Sequence, residues 1–90
     1  MKKTILLTGG TGLFGRTLVK YFLENEFNVI TTSRTESNLK SLYESNSKYK
    51  DSLIGIVCDF TSENYINDLL EILVSKEIKI NHLINNARSI

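Results

Sequence analysis

The chain has no proline and a single cysteine, and neither sign of charge dominates. Without proline nothing interrupts a helix or a strand ladder from within, which suits dense regular structure joined by short turns. Cys58 cannot close an internal disulfide, and this fits a reducing cytoplasm. With 11 Lys+Arg against 10 Asp+Glu there is no basic surface for nucleic acid or an anionic membrane. No apolar run nears the roughly 18–20 residues of a membrane span. The start Met1-Lys2-Lys3-Thr4 looks like the opening of a secretory leader, but only Ile5, Leu6 and Leu7 follow before glycine. A leader needs about 7–15 apolar residues there, so a strand is the better reading. Repeats, low-complexity tracts and linkers are also missing; the stretch 45–52 is polar enough for a loop. At 90 residues and 41% hydrophobic content, one small globular domain is the most the chain can build.

What is present is an alternation of apolar patterns. Lys3 to Thr8 reads K-T-I-L-L-T, a short run bounded by glycine, as in a strand buried on both faces. From Leu13 to about Asn25, Phe14, Leu18, Tyr21 and Phe22 recur at helical spacing. Residues 27–32 are aromatic and β-branched, which predicts a second strand. Thr35 or Ser37 can cap a second helix carrying Leu39, Leu42 and Tyr43. Residues 53–58 form a third strand. Thr61 or Ser62 caps a third helix with Tyr65, Ile66, Leu69, Leu70 and Leu73 on one face, and residues 80–85 form a fourth strand. This β-α-β-α-β-α-β order predicts an α/β fold: a parallel sheet in order 3-2-1-4 with helices on both faces. Open sheets of this kind bind ligands at the carboxyl ends of the strands, where the strand order reverses between the first and fourth.

Residues 8–15, T-G-G-T-G-L-F-G, stand at that point. The spacing Gly9-x-x-Gly12-x-x-Gly15 follows a strand and opens a helix, the context of a dinucleotide-binding turn. Gly9 allows a sharp exit from the strand, Gly12 lets backbone approach a pyrophosphate, and Gly15 lets the helix pack on the sheet. The helix N-terminus then offers unpaired N–H groups to phosphate. No Gly-Lys-Ser/Thr follows, which argues against nucleoside triphosphate hydrolysis. After the second strand comes Thr32-Ser33-Arg34, where an NAD site would carry a carboxylate for the ribose. A guanidinium there can meet a 2′-phosphate, so NADP is favoured and NAD is the alternative, with Glu36 then serving the ribose. Asp59 could accept from an adenine amine or cap the next element. Asn85 and Asn86 could bridge strands, meet a cofactor ribose or form a turn. His82 has no partner at metal-ligand spacing and reads as structural, and Cys58 reads as a small buried hydrophobe.

Taken in order, T-G-G-T-G-L-F-G, S-R, C-D-F-T and L-I-N-N-A resemble the short-chain dehydrogenase/reductase family through the whole chain. The resemblance implies a Rossmann fold and NAD(P)-dependent oxidation or reduction of alcohols and carbonyls. It places Gly9, Gly12 and Gly15 along the pyrophosphate, with Thr11, Leu13 and Phe14 in the same turn. Ser33 and Arg34 would meet the 2′-phosphate, and Asp59, with Phe60 beside it, the adenine. Asn85 and Ala87 would meet the two riboses, and Asn86 would steady the sheet.

The glycine spacing looks like the family's extended members, whereas N-N-A looks like its shorter ones, in which glycine normally follows; here Arg88 does. N-N-A-R-S has a faint resemblance to bacterial sugar-modifying reductases. The family's catalytic Tyr-x-x-x-Lys is not found: the fourth residue after Tyr21, Tyr43, Tyr49 and Tyr65 is Asn25, Ser47, Leu53 and Leu69. A tyrosine without its lysine lacks the group that lowers its pKa for proton transfer. The expectation is therefore an incomplete domain over 1–90, the cofactor-binding part of a parent oxidoreductase acting on a small polar substrate, and inactive alone. A non-catalytic NADP-binding module is the alternative. Self-association through the edge of the fourth strand is also expected.

Overall fold

The structure, a computed structural model, describes residues 2–59 and 61–86. Four parallel strands, β1 (Thr4–Thr8), β2 (Asn28–Ser33), β3 (Leu53–Val57) and β4 (His82–Asn85), lie in the order β3-β2-β1-β4. Three helices connect them: α1 (Leu13–Glu24), α2 (Glu36–Ser45) and α3 (Tyr65–Ser75). This is the strand order expected from the alternation. α1 and α2 carry the chain outward to β3, and α3 returns it across the sheet to β4. Right-handed crossovers running in opposite directions put their helices on opposite faces, and the cores show that they do. Ile5, Leu7, Val29 and Leu53 pack with Val19 and Leu23 of α1 and Leu42 of α2 on one face. Leu6, Ile30, Ile56 and Cys58 pack with Leu69 and Leu73 of α3 on the other. Each such side chain, fully buried, contributes about 1.5–3 kcal/mol of transfer free energy.

Strand alternation sets this up, because Leu6 points opposite to its neighbours Ile5 and Leu7. Register lines up Leu83, Leu6, Ile30 and Ile54 across the α3 face. Leu6 is 7% exposed and Leu83 65%, so α3 covers the middle of that row and leaves its β4 end open.

Several sequence expectations needed correction in detail. The buried face of α1 is Gly15, Val19 and Leu23; Phe14 and Tyr21 point outward, while Leu18 and Phe22 are half-buried at the core's margin. α1 is apolar on more than one side, and the side without a Cβ at Gly15 can come closest to the sheet. α3 begins at Tyr65, four residues after Thr61, so neither Thr61 nor Ser62 is its cap. It buries Leu69 and Leu73 but exposes Ile66 and Leu70. The polar stretch expected as a loop is a kinked 3₁₀ turn over Ser47–Ser52. Thr35 does cap α2, its hydroxyl accepting from the Asn38 N–H at 3.3 Å. α1 and α3 end alike: the N–H of Phe27 donates to the Phe22 carbonyl, and that of Ile78 to the Leu73 carbonyl. Each closure puts a glutamate, Glu26 (φ 65) or Glu77 (φ 55), in the left-handed region.

Candidate functional site

The glycine turn leaves β1 at the carboxyl edge of the sheet, beside the ends of β2 and β4. Gly9 has φ 70, a conformation that a side chain disfavours, and its carbonyl accepts from the Gly12 N–H at 3.3 Å. α1 lies tight on this turn: a Cβ at Gly15 would run into the Gly9 carbonyl oxygen and come within 2.9 Å of the Gly10 Cα. Gly12 is different. Its φ and ψ, −72° and 170°, suit any residue, and among the described residues a Cβ there would meet only the Gly9 carbonyl oxygen, at 3.7 Å. Neither backbone conformation nor packing against the described residues requires glycine at 12.

Gly12 is also the N-cap of α1 and provides no capping side chain, and the first turn holds no acidic residue. The N–H groups of Leu13, Phe14 and Gly15 have no intrahelical acceptor by helix geometry, and they carry the positive end of the helix dipole. They open onto a cleft of about 460 Å³ bounded by the glycine turn, Thr32, Ser33, Arg34, Asn38 and Asn86. Anions bind to helix N-termini of this kind.

The far wall is built by hydrogen bonds from β2. The Thr11 hydroxyl donates to Ser33 Oγ at 3.1 Å, and Arg16 Nε donates to the Thr11 carbonyl at 2.9 Å. Exposed Arg34 lines the cleft. Glu36 instead lines a separate hollow with Leu39, Tyr43 and Gly55, so the cleft wall carries the guanidinium and not that carboxylate.

On the β4 side both asparagines bridge strands. Asn85 Oδ1 accepts from the Thr8 hydroxyl at 2.9 Å. The Asn86 backbone N–H donates to Thr8 Oγ1 at 3.0 Å, and its carboxamide donates to the Gly9 carbonyl at 3.2 Å. Asn86 reaches the cleft; Asn85 is not among the residues lining it.

Asp59 also lies outside the lining. Its carboxylate accepts from the Thr61 hydroxyl at 2.6 Å and the Thr61 N–H at 2.9 Å, capping a turn rather than α3. These bonds, with a smaller contribution from the Arg34 guanidinium, hold its carboxyl below the usual carboxylate range. Phe60, Ala87 and Arg88 lie outside the described residues. Thr32 and Asn38 line the cleft without having been singled out from the sequence. The run of hydroxyls Thr31-Thr32-Ser33 closing β2 was the available signal for Thr32. Cys58 is buried as expected, and its thiol is pushed up by desolvation first, then by Asp68 and Asp59. His82 is exposed on β4, edge-on to Phe27 with ring centroids 6.5 Å apart. No described helix is long and apolar enough to cross a membrane.

A doubly wound parallel sheet with a glycine turn and an uncapped helix at its switch point is a Rossmann-type architecture. The family model described as short chain dehydrogenase matches residues 3–89, and the chain belongs to the short-chain dehydrogenase/reductase family. A Gibberella zeae protein named short chain dehydrogenase/reductase dpfgG is 32% identical over 85 residues, covering 94% of this chain and 31% of its own length. The structure named ElxO with NADP bound matches at a TM-score of 0.86 and 31% identity, over 99% of this chain and 36% of that one. A 4-hydroxyisoleucine dehydrogenase complexed with NADH matches at 0.79 and 28% identity, over 99% of this chain and 35% of that one. The chain thus spans about a third of the length of these relatives.

Proposed function

We propose that this chain is the cofactor-holding part of an oxidoreductase that moves hydride between NADP and a carbonyl or alcohol. The observation that carries this reading is Gly12: a glycine required neither by backbone conformation nor by packing among the described residues, at a helix start without a side-chain cap facing a cleft. A pyrophosphate lying against that bare backbone accounts for it, with the N–H groups of Leu13 and Phe14 donating to its oxygens. Arg34 on the cleft wall, with Ser33 beside it, supports NADP over NAD through charge-assisted bonds to a 2′-phosphate. Asp59, Phe60, Asn85 and Ala87 are proposed as flanking contacts to adenine and the riboses. When bound, the nicotinamide supplies or accepts the hydride; the residues of this chain bind and orient it. None of the four tyrosines has a lysine four residues on, so the chain alone should hold cofactor without turning over. A sugar-type substrate for the parent rests on the N-N-A-R-S resemblance alone, and a reducing cytoplasm on the single buried Cys58.

Calorimetric titration with NADP and NAD tests the reading. NADP should bind about tenfold tighter or better, a difference of roughly 1.4 kcal/mol per decade, and Arg34→Ala should remove the preference. Equal affinities in the wild-type chain would refute the NADP assignment. Turnover of NADPH with a carbonyl panel at rates of order 1–10³ per second would refute inactivity.

A second reading, self-association, is favoured by exposed apolar side chains. Ile66, Leu70 and Val74 stand exposed at four-residue spacing along α3, and Leu83 is exposed on β4. The contact proposed is pairing of the β4 edge away from β1 with a second copy. Sedimentation should show a dimer that Leu70→Glu dissociates; a monomer at high concentration overturns this reading.

A further inference from the structure

Three consecutive residues of β2 bond three consecutive residues of the glycine turn. Thr31 Oγ1 accepts from the Gly10 N–H at 2.9 Å and donates to the Leu7 carbonyl at 2.6 Å. Thr32 Oγ1 accepts from the Gly9 N–H at 3.1 Å. Ser33 Oγ accepts from the Thr11 hydroxyl. Adjacent strand residues face opposite sides of a sheet, so Thr31 and Thr32 grip the turn from both faces.

Thr31 is the unusual member. It is 0% exposed and pairs in register with Leu7 on β1 and Gly55 on β3, on the face packed by α1 and α2. A buried hydroxyl in an apolar layer is costly unless bonded, and this one is bonded on both sides. Gly10 approaches so closely that a Cβ would overlap Thr31 Oγ1 and lie 2.9 Å from Val19 Cγ2. The Gly9 and Gly10 N–H groups are therefore taken up by β2 and that of Gly12 by the Gly9 carbonyl, while the N–H groups opening α1 have no intrahelical acceptor.

We infer that Thr31 is a positioning residue for cofactor binding. It does not line the cleft. It ties Gly10 to β2 and β1 at once, and so sets the angle at which the Leu13 and Phe14 N–H groups meet a phosphate. The inference rests on the reading that the cleft takes a dinucleotide. Because the pyrophosphate is common to NAD and NADP, losing this tie weakens both alike and leaves their ratio, which depends on Arg34, unchanged.

The test uses the full 90-residue chain. Dissociation constants for NADP and NAD are measured by calorimetry for wild type, Thr31→Val and Thr31→Ser, and amide exchange of the unliganded proteins is followed by NMR. Thr31→Val should weaken both cofactors about tenfold at constant ratio, the scale of one buried hydrogen bond, and Thr31→Ser should stay within about twofold of wild type. The Gly10 N–H should exchange slowly in wild type and in Thr31→Ser, and the Leu13 N–H fast until cofactor is added. A folded Thr31→Val that melts lower but binds as wild type shows a structural role alone and overturns the inference. If Thr31→Val does not fold, a Gly10 N–H exchanging as fast as that of Leu13 in wild type, or a Thr31→Ser that binds no better than a tenfold loss, overturns it. Wild type binding neither dinucleotide overturns the functional reading and this inference together; wild type binding normally beside an unimpaired Thr31→Val overturns this inference alone.

Discussion

Gly12→Ala separates what the fold needs from what the ligand needs. A methyl at 12 meets nothing nearer than the Gly9 carbonyl oxygen at 3.7 Å, and the backbone there is already in a region that alanine prefers. The unfolded chain loses freedom, which favours the variant by about 0.4–1 kcal/mol. Glycine is preferred over alanine at an N-cap, which opposes it by a similar amount. Stability should therefore stay within about 1 kcal/mol of wild type, roughly 4–8 °C in melting temperature for a domain of this size. Gly15→Ala should destabilise clearly, since its methyl lands on the Gly9 carbonyl and the Gly10 Cα; overpacking of that kind costs about 1–3 kcal/mol. Binding should separate the two variants a second way. The Gly12 methyl stands where a pyrophosphate would lie, and losing even one charge-assisted bond of about 1.5–3 kcal/mol lowers affinity roughly tenfold to a hundredfold. Thermal unfolding and calorimetry with NADP read both quantities on the same samples. A Gly12→Ala chain that melts near wild type and binds NADP as tightly as wild type would refute the ligand account of this glycine. One that melts as low as Gly15→Ala would refute the packing account.

Three further outcomes follow from other parts of the fold. The Tyr43 hydroxyl accepts from the Gly55 N–H at 2.5 Å on the edge strand β3; Tyr43→Phe should cost about 1–2 kcal/mol, read as a lower urea midpoint. Glu26→Gly relieves a left-handed glutamate and should stabilise the chain by about 0.5–1 kcal/mol in the same assay. The bonds from Thr61 lower the Asp59 pKa, so their contribution to stability is present above the ordinary value of 3.8 and is lost as pH falls through the lower folded value. Thr61→Val should return the Asp59 pKa toward 3.8, as read by NMR titration of the carboxyl carbon; an unchanged midpoint would contradict the assigned cause.

The order of elements, the parallel sheet and the place of the glycine turn were legible in the sequence because each depends on local pattern. Short apolar runs between glycines and polar turns are too brief for helices and read as buried strands, and alternation with helices favours parallel pairing. Arg34 was legible as a charge at a known distance past the turn, and Thr35 as a cap, for the same reason. Which side of α1 is buried was not legible. Leu18, Phe22 and Phe14 offer one apolar stripe, Val19 and Leu23 another, and only the close approach allowed at Gly15 decides between them. The start of α3 was equally hidden, because Thr61 turns back onto Asp59 instead of capping a helix.

By itself the sequence determined the family, the topology and the spacing of a loop suited to phosphate, all features carried by residues near one another in the chain. Tertiary structure alone decided which glycine faces open space and which is locked by packing. It decided that Arg34 rather than Glu36 lines the cleft, and that Thr31, 21 residues beyond Gly10, completes the turn. Those decisions depend on distances between strands, which no local pattern encodes.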